Sequence, residues 1–224
     1  LNETDGDIEK AVQALREAGL GKAAKKAGNI AAEGVIAVTV NEDNSIATML
    51  ELNAQTDFVA KNENFLNLTQ EIVTHAQVNN IADADALASS TINDMAFSEF
   101  LNGKIATIGE NLVARKVSSV KADVVNAYVH TNGRVGVLLA ATCDEAAKDK
   151  TVALLKSVAM HASAMKPSVI SYTDLTAEFI ESENRAIRAE IEADNDELVR
   201  LKKPLKNIPD FVSKAQLTEE AIAA

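Results

Sequence analysis

A strand–turn–strand–helix pattern occurs twice in this chain, and no other feature limits its fold as tightly. In the first copy, residues 35–40 form a β-branched strand, 41–45 a polar turn and 46–52 the return strand. A helix is expected next, from about Thr56 to His75. The second copy places strands at 124–129 and 135–141, a turn at 130–133 and a helix through 152–161. Even the helix ends correspond, with Val73-Thr74-His75-Ala76 matched by Ala159-Met160-His161-Ala162. Two hairpin-plus-helix units on one plan predict an α+β fold of two related subdomains.

The flanking segments are helical in pattern. Asp7 is placed to cap a helix running to about Ala18, with Ile8, Val12 and Leu15 on one face and Gly19 as its stop. Gly21 and Gly28 bracket a second short helical stretch, and together these resemble half of a small bundle. Between the copies, residues 81–101 are expected to be mostly helical, and Val113 and Val117 belong to a strand-like segment. Beyond Pro167 the chain becomes charged and periodic. Leu175, Phe179, Ile187, Ile191 and Leu198 form an interrupted apolar stripe, Pro204 and Pro209 break it, and Thr218 with Glu219 opens another helix. A projecting helical hairpin and an ordinary solvated surface helix both satisfy this pattern. The start at Leu1 and the end at Ala224 both fall inside helix-forming runs, so a fragment of a longer chain is expected.

Composition narrows the function. The formal net charge is -11, with 33 acidic against 22 basic residues, which argues against a phosphate-binding footprint and direct nucleic-acid contact. Lys22, Lys25 and Lys26 make the best local basic cluster, and a solvated helix face accounts for them. A single cysteine, Cys143, cannot form an internal disulfide and suits a reducing cytoplasm. No apolar run of membrane-spanning length and no signal peptide are legible.

Catalytic signals are poor, and no cofactor or metal is called for. Gly19-Leu20-Gly21-Lys22 lacks the first glycine and the closing Ser or Thr of a phosphate-binding loop. His75, His130 and His161 lie too far apart for metal-ligand spacing, and His75 and His161, as matched repeat positions, read as structural. Cys143 has no basic neighbour to generate a thiolate, and Glu181 and Glu183 sit in a charge-rich helix.

Thr56-Asp57-Phe58-Val59 is the segment that stands out. It sets a large apolar ring beside a carboxylate at a strand-to-helix corner, with polar Asn62, Glu63 and Asn64 following. Phe58, Phe65 and Ile72 share heptad spacing, which admits a core role. The second copy has Thr142-Cys143-Asp144-Glu145 at the same corner and no ring, which favours a contact role instead. Both readings stand on the residues alone.

Several further strings occur in order: Gly6-Asp7-Ile8-Glu9-Lys10-Ala11, Lys22-Ala23-Ala24-Lys25-Lys26-Ala27-Gly28-Asn29 and Glu33-Gly34-Val35-Ile36. They continue with Asn53, Gln55 to Lys61, Ile108-Gly109-Glu110-Asn111, Gly133-Arg134-Val135-Gly136-Val137-Leu138, Ala159-Met160-His161 and Lys166-Pro167. With them the chain resembles the elongation factor Ts family, bacterial nucleotide exchange factors for elongation factor Tu. The resemblance implies residues 1–30 as a remnant of an N-terminal helical, UBA-like domain, 31–122 and 123–170 as the two core subdomains, and 171–224 as a truncated coiled-coil hairpin. It implies a cytoplasmic, non-enzymatic protein that binds GDP-bound elongation factor Tu and displaces that partner's magnesium- and phosphate-binding elements; the projecting hairpin leaves a dimer of the heterodimer open. Phe58 would wedge between two partner helices with Asp57 beside it, flanked by Thr56 and Val59. Ile108 and Gly109 would form the adjoining surface, and His130 would pack by the same groove. Two other activities compete with exchange: sequestration of a partner without nucleotide release, and a small-molecule enzyme, for which a deep pocket with converging polar groups would speak.

Overall fold

In the computed structural model, residues 7–207 of the 224-residue chain are described. They divide into one unit ending at Lys166 and another beginning at Pro167.

The first unit starts with α1 (Ile8–Lys26), whose N-terminus is closed by Asp7 accepting from the Lys10 N–H at 3.1 Å. The expected stop at Gly19 does not occur, because the helix continues through Gly19 and Gly21 to Lys26. Packing explains this: α1 lies against a later helix, and a methyl group added at Gly19 would sit 3.6 Å from Ala106 Cβ. Here glycine is a thin spot at a helix crossing. The loop-like string Gly19-Leu20-Gly21-Lys22 is therefore helical and offers no phosphate cradle.

Strands β1 (Glu33–Val40) and β2 (Ile46–Ala54) pair antiparallel, with Glu33 opposite Ala54 and Val40 opposite Ala47. The polar turn is held by Asn41, whose Oδ1 accepts from the Ser45 and Ile46 N–H groups. The expected helix from Thr56 is two helices, α2 (Asp57–Ala60) and α3 (Glu63–Val78). Asn62 separates them in extended geometry and caps α3 by accepting from the Asn64 N–H at 2.9 Å. That break abolishes the shared heptad face. Phe65 and Ile72 are sealed beneath the sheet, whereas Phe58 is 84% exposed.

The next segment is less helical than expected: a short helix α4 (Ala84–Ala88), a two-residue ribbon β3 (Thr91–Ile92) with β4 (Met95–Ala96), then α5 (Phe97–Ile108). Strand β5 (Val113–Lys121) returns to pair with β2 and completes a three-stranded sheet in the order β1-β2-β5. Leu50, Leu52, Phe65, Ile72, Leu87 and Phe97 are among the side chains that close the core between sheet and helices.

The second hairpin, β6 (Val124–Val129) and β7 (Gly136–Ala141), is followed by α6 (Lys148–Met165). It lies close to the first sheet, with the Ile36 N–H donating to the Gly133 carbonyl at 2.7 Å. Gly136 permits this approach, since a Cβ there would stand 2.8 Å from Ile36 Cγ2 and from Met49 Cε. The two repeat histidines are not equivalent. His75 is half-buried between Ser90 and Asn79, while His161 is exposed.

The second unit holds α7 (Ala177–Arg200), capped by Thr176 accepting from the Phe179 N–H at 3.1 Å. The chain then turns back on the helix. The Lys206 N–H donates to Asn195 Oδ1, and Asn195 Nδ2 donates to the Lys206 carbonyl. The helix expected at Thr218 lies outside the described residues.

Candidate functional site

Strand β2 ends at Ala54, and two residues later Thr56 opens α2 with extended backbone geometry. Its hydroxyl oxygen accepts from the Val59 N–H at 3.4 Å, a Thr cap on a helix of one turn. Ala60 turns inward and is buried, and Val59 packs in part on the core. With those residues directed at the core, Phe58 faces out. It is the most exposed of the described phenylalanines. Burying such a ring is worth about 1.5–3 kcal/mol, so 84% exposure leaves most of that unused in the isolated chain.

Asp57 is half-buried and pairs with Lys61 one turn on, at 2.7 Å. The Lys61 hydrogen bond and charge hold its carboxyl below the ordinary value, with Arg134 acting in the same direction. Such a surface pair contributes little to stability. Its consequence is that Asp57 stays anionic beside the ring.

The other expected residues fall into two groups. Ile108 ends α5, and Gly109 follows with φ at 84°, a left-handed conformation that glycine adopts without Cβ strain. Ile108 and Val59 line one groove of about 500 Å³, together with Asn62, Phe65, Leu68 and Lys104. Thr56, Phe58, Val59, Ile108 and Gly109 thus belong to one corner of the first unit. His130 stands apart, exposed on the β6–β7 turn, with its Nδ1 3.2 Å from the Tyr128 hydroxyl. The turn approaches the corner through Arg134, which pairs with Glu33 on β1 opposite the last residue of β2.

Glu110, within the string Ile108-Gly109-Glu110-Asn111, ties the corner together. Glu110 Oε2 accepts from both the Gln55 and Thr56 N–H groups at 3.0 Å, and Oε1 accepts from the Thr56 hydroxyl at 2.6 Å. Its neighbour Asn111 donates to the Asn29 carbonyl at 2.8 Å, and Asn29 donates to Gln55 Oε1 at 3.2 Å. Spacing could not reveal these ties, because Glu110 lies 54 positions beyond Thr56.

Among the described residues no group of His, Cys, Asp and Glu is arranged to hold a metal ion, and no helix is long and apolar enough to cross a membrane. A cavity of about 690 Å³ lies between α1 and α5 and includes Val12, Leu20, Met95 and Phe100 in its lining. None of the three histidines lines it.

The fold and this corner define an α+β protein that holds an aromatic ring out to solvent on a short, braced helix. Comparison with known proteins gives that class its family. The model of the family described as elongation factor TS matches residues 55–219. The chain is 73% identical over 224 residues to elongation factor Ts of Aliarcobacter butzleri (strain RM4018), a match covering 100% of this chain and 64% of that protein. It is 50% identical over 227 residues to elongation factor Ts of Campylobacter fetus subsp. fetus (strain 82-40), with the same coverage of each chain. Against elongation factor Ts of Helicobacter hepaticus (strain ATCC 51449 / 3B1) the identity is 48% over 228 residues, again covering 100% and 64%. The chain belongs to the elongation factor Ts family and spans just under two thirds of the length of these curated relatives.

Proposed function

We propose that this chain acts by binding GDP-bound elongation factor Tu and speeding GDP release during translation elongation, in the cytoplasm and without making or breaking a covalent bond. The single observation that carries this reading is the solvent-facing ring of Phe58 on a capped corner of a chain in the elongation factor Ts family. An aromatic side chain on a rigid element suits insertion into a partner's pocket at low entropic cost. Phe58 enters between two partner helices near the magnesium site, with Asp57 presenting its charge alongside. Thr56 and Val59 shape the base of the wedge, Ile108 and Gly109 supply the adjoining surface, and His130 engages from the neighbouring hairpin. Moving the partner's helix withdraws groups that hold Mg²⁺ and the phosphates, and GDP leaves.

Magnitudes limit what the ring does alone. Weakening nucleotide binding ten-thousand-fold takes about 5.5 kcal/mol of differential affinity. One buried phenylalanine supplies about 1.5–3 kcal/mol. The remainder comes from the wider interface and from lost metal contacts in the partner. The coupling is reciprocal, so nucleotide rebinding in turn loosens the complex.

Stopped-flow release of fluorescent GDP from elongation factor Tu, with and without this chain across a range of Mg²⁺, tests the proposal. Exchange activity predicts faster release in proportion to chain concentration. A complex that forms while the release rate stays unchanged establishes sequestration instead.

A further inference from the structure

The ring of Phe58 is poorly placed to orient itself. At 84% exposure it gains little from packing on its own subunit, and its helix spans only Asp57–Ala60. A single helical turn does not hold together without outside support. Its first N–H groups have no partners within the helix, and the strand that precedes it has ended.

We propose that Glu110 is the positioning residue of this wedge, a carboxylate latch that sets the direction of Phe58 without touching the partner. The proposal rests on the reading of Phe58 as the contact residue. Both Glu110 oxygens are committed to the corner. Oε2 receives the Gln55 and Thr56 N–H groups, and Oε1 receives the Thr56 hydroxyl proton. The bond to Glu110 fixes the rotation of the Thr56 hydroxyl, whose lone pairs then face the Val59 N–H and cap α2. Charge-assisted bonds of this kind are the stronger and more directional ones.

The latch is itself anchored. Gly109 turns the chain out of α5 in a left-handed conformation and delivers Glu110 to the corner. The next residue, Asn111, donates its side-chain amide to the Asn29 carbonyl, and Asn29 reaches Gln55 from the other side. Two segments remote in sequence, Asn29 and residues 109–111, therefore converge on residues 55–56, just before the ring. Without the carboxylate the ring remains exposed, but the corner samples several directions and must be ordered again at each encounter. The cost falls on exchange and is felt only through the ring.

A double-mutant cycle on GDP release from elongation factor Tu separates this from a general structural role. Glu110→Ala is expected to lower exchange efficiency about three- to tenfold, in line with ordering one side chain and its turn on binding. In a Phe58→Ala background the same change is expected to have almost no further effect. Glu110→Gln keeps the shape and an acceptor for the two N–H groups, and turns an amide N–H toward the Thr56 oxygen. It should restore most of the loss. If Glu110→Ala does not fold, Glu110→Asp, whose carboxylate stops one methylene short of the Gln55 and Thr56 N–H groups, carries the same cycle with the same expected loss. Effects of Glu110 and Phe58 that multiply independently overturn the latch. So does a Glu110→Ala protein that exchanges normally beside an impaired Phe58→Ala protein. If Phe58→Ala alone leaves release unchanged, the wedge reading falls first and the latch with it.

Discussion

Truncating Phe58 to alanine removes the ring that the corner holds out to solvent. The ring is 84% exposed, whereas Phe65 on the next helix is 1% exposed. A surface truncation away from structural features changes stability by about 0.5 kcal/mol or less. Phe58→Ala should therefore unfold at nearly the same temperature as the parent chain. Phe65→Ala, leaving a cavity beneath the sheet, should lose about 3–5 kcal/mol. Function should reverse the order of severity. If Phe58 is buried by elongation factor Tu, losing about 1.5–3 kcal/mol of transfer free energy lowers exchange efficiency by roughly one to two orders of magnitude. Calorimetry or circular dichroism gives the unfolding midpoints, and stopped-flow release of labelled GDP gives the exchange rate. A Phe58→Ala protein that unfolds early would return the ring to a core role. One that folds and exchanges at the parent rate would remove the wedge from the mechanism.

Three further changes test the supports of the site and fold. Thr56→Val keeps the shape but deletes the cap on Val59 and the bond to Glu110; about 1 kcal/mol should be lost, seen as a thermal midpoint lower by about 2–4 °C. An unchanged midpoint would show that the cap does not hold the corner. Gly136→Val drives a side chain into Ile36 and Met49, and denaturant titration should show a loss of about 1–3 kcal/mol. The third concerns pH. Burial holds the His75 imidazole below its ordinary value of 6.5. Asn79 Nδ2 donates to Nδ1, and Nε2 faces the Ser90 hydroxyl, so the neutral ring fits its partners. The unfolded chain thus binds a proton that the folded chain resists. Stability should fall as pH drops through 6.5 toward the lower folded value. Denaturation at pH 7.5 and 5.5 should show this slope reduced in His75→Gln; an identical slope would clear His75 of the effect.

Periodicity and turn chemistry were enough to locate both hairpins and the long helices that follow them. Alternating β-branched residues bounded by polar turns have few other stable arrangements, and β1 with β2 and β6 with β7 are the result. The α+β class follows from the same pattern. The motif around Phe58 was legible as well, though not the direction of its ring. Heptad spacing placed Phe58 with Phe65 and Ile72 because spacing assumes one continuous helix. Asn62 interrupts it, and the residues after the break face differently.

What the amino-acid order determined by itself is local: which segments extend, which coil, and which family's strings they carry. Where remote segments meet was decided only in three dimensions. Gly19 looked like a helix stop until Ala106 came to lie against it, and His75 and His161 looked equivalent until one was half-buried and the other left in water. Glu110 is the clearest case, since nothing near it in the chain hints at Gln55 or Thr56. Hydrogen-bond partners and burial depend on distance through space, and chain position encodes that distance only over a few residues. The corner that aims Phe58 is a product of tertiary closure.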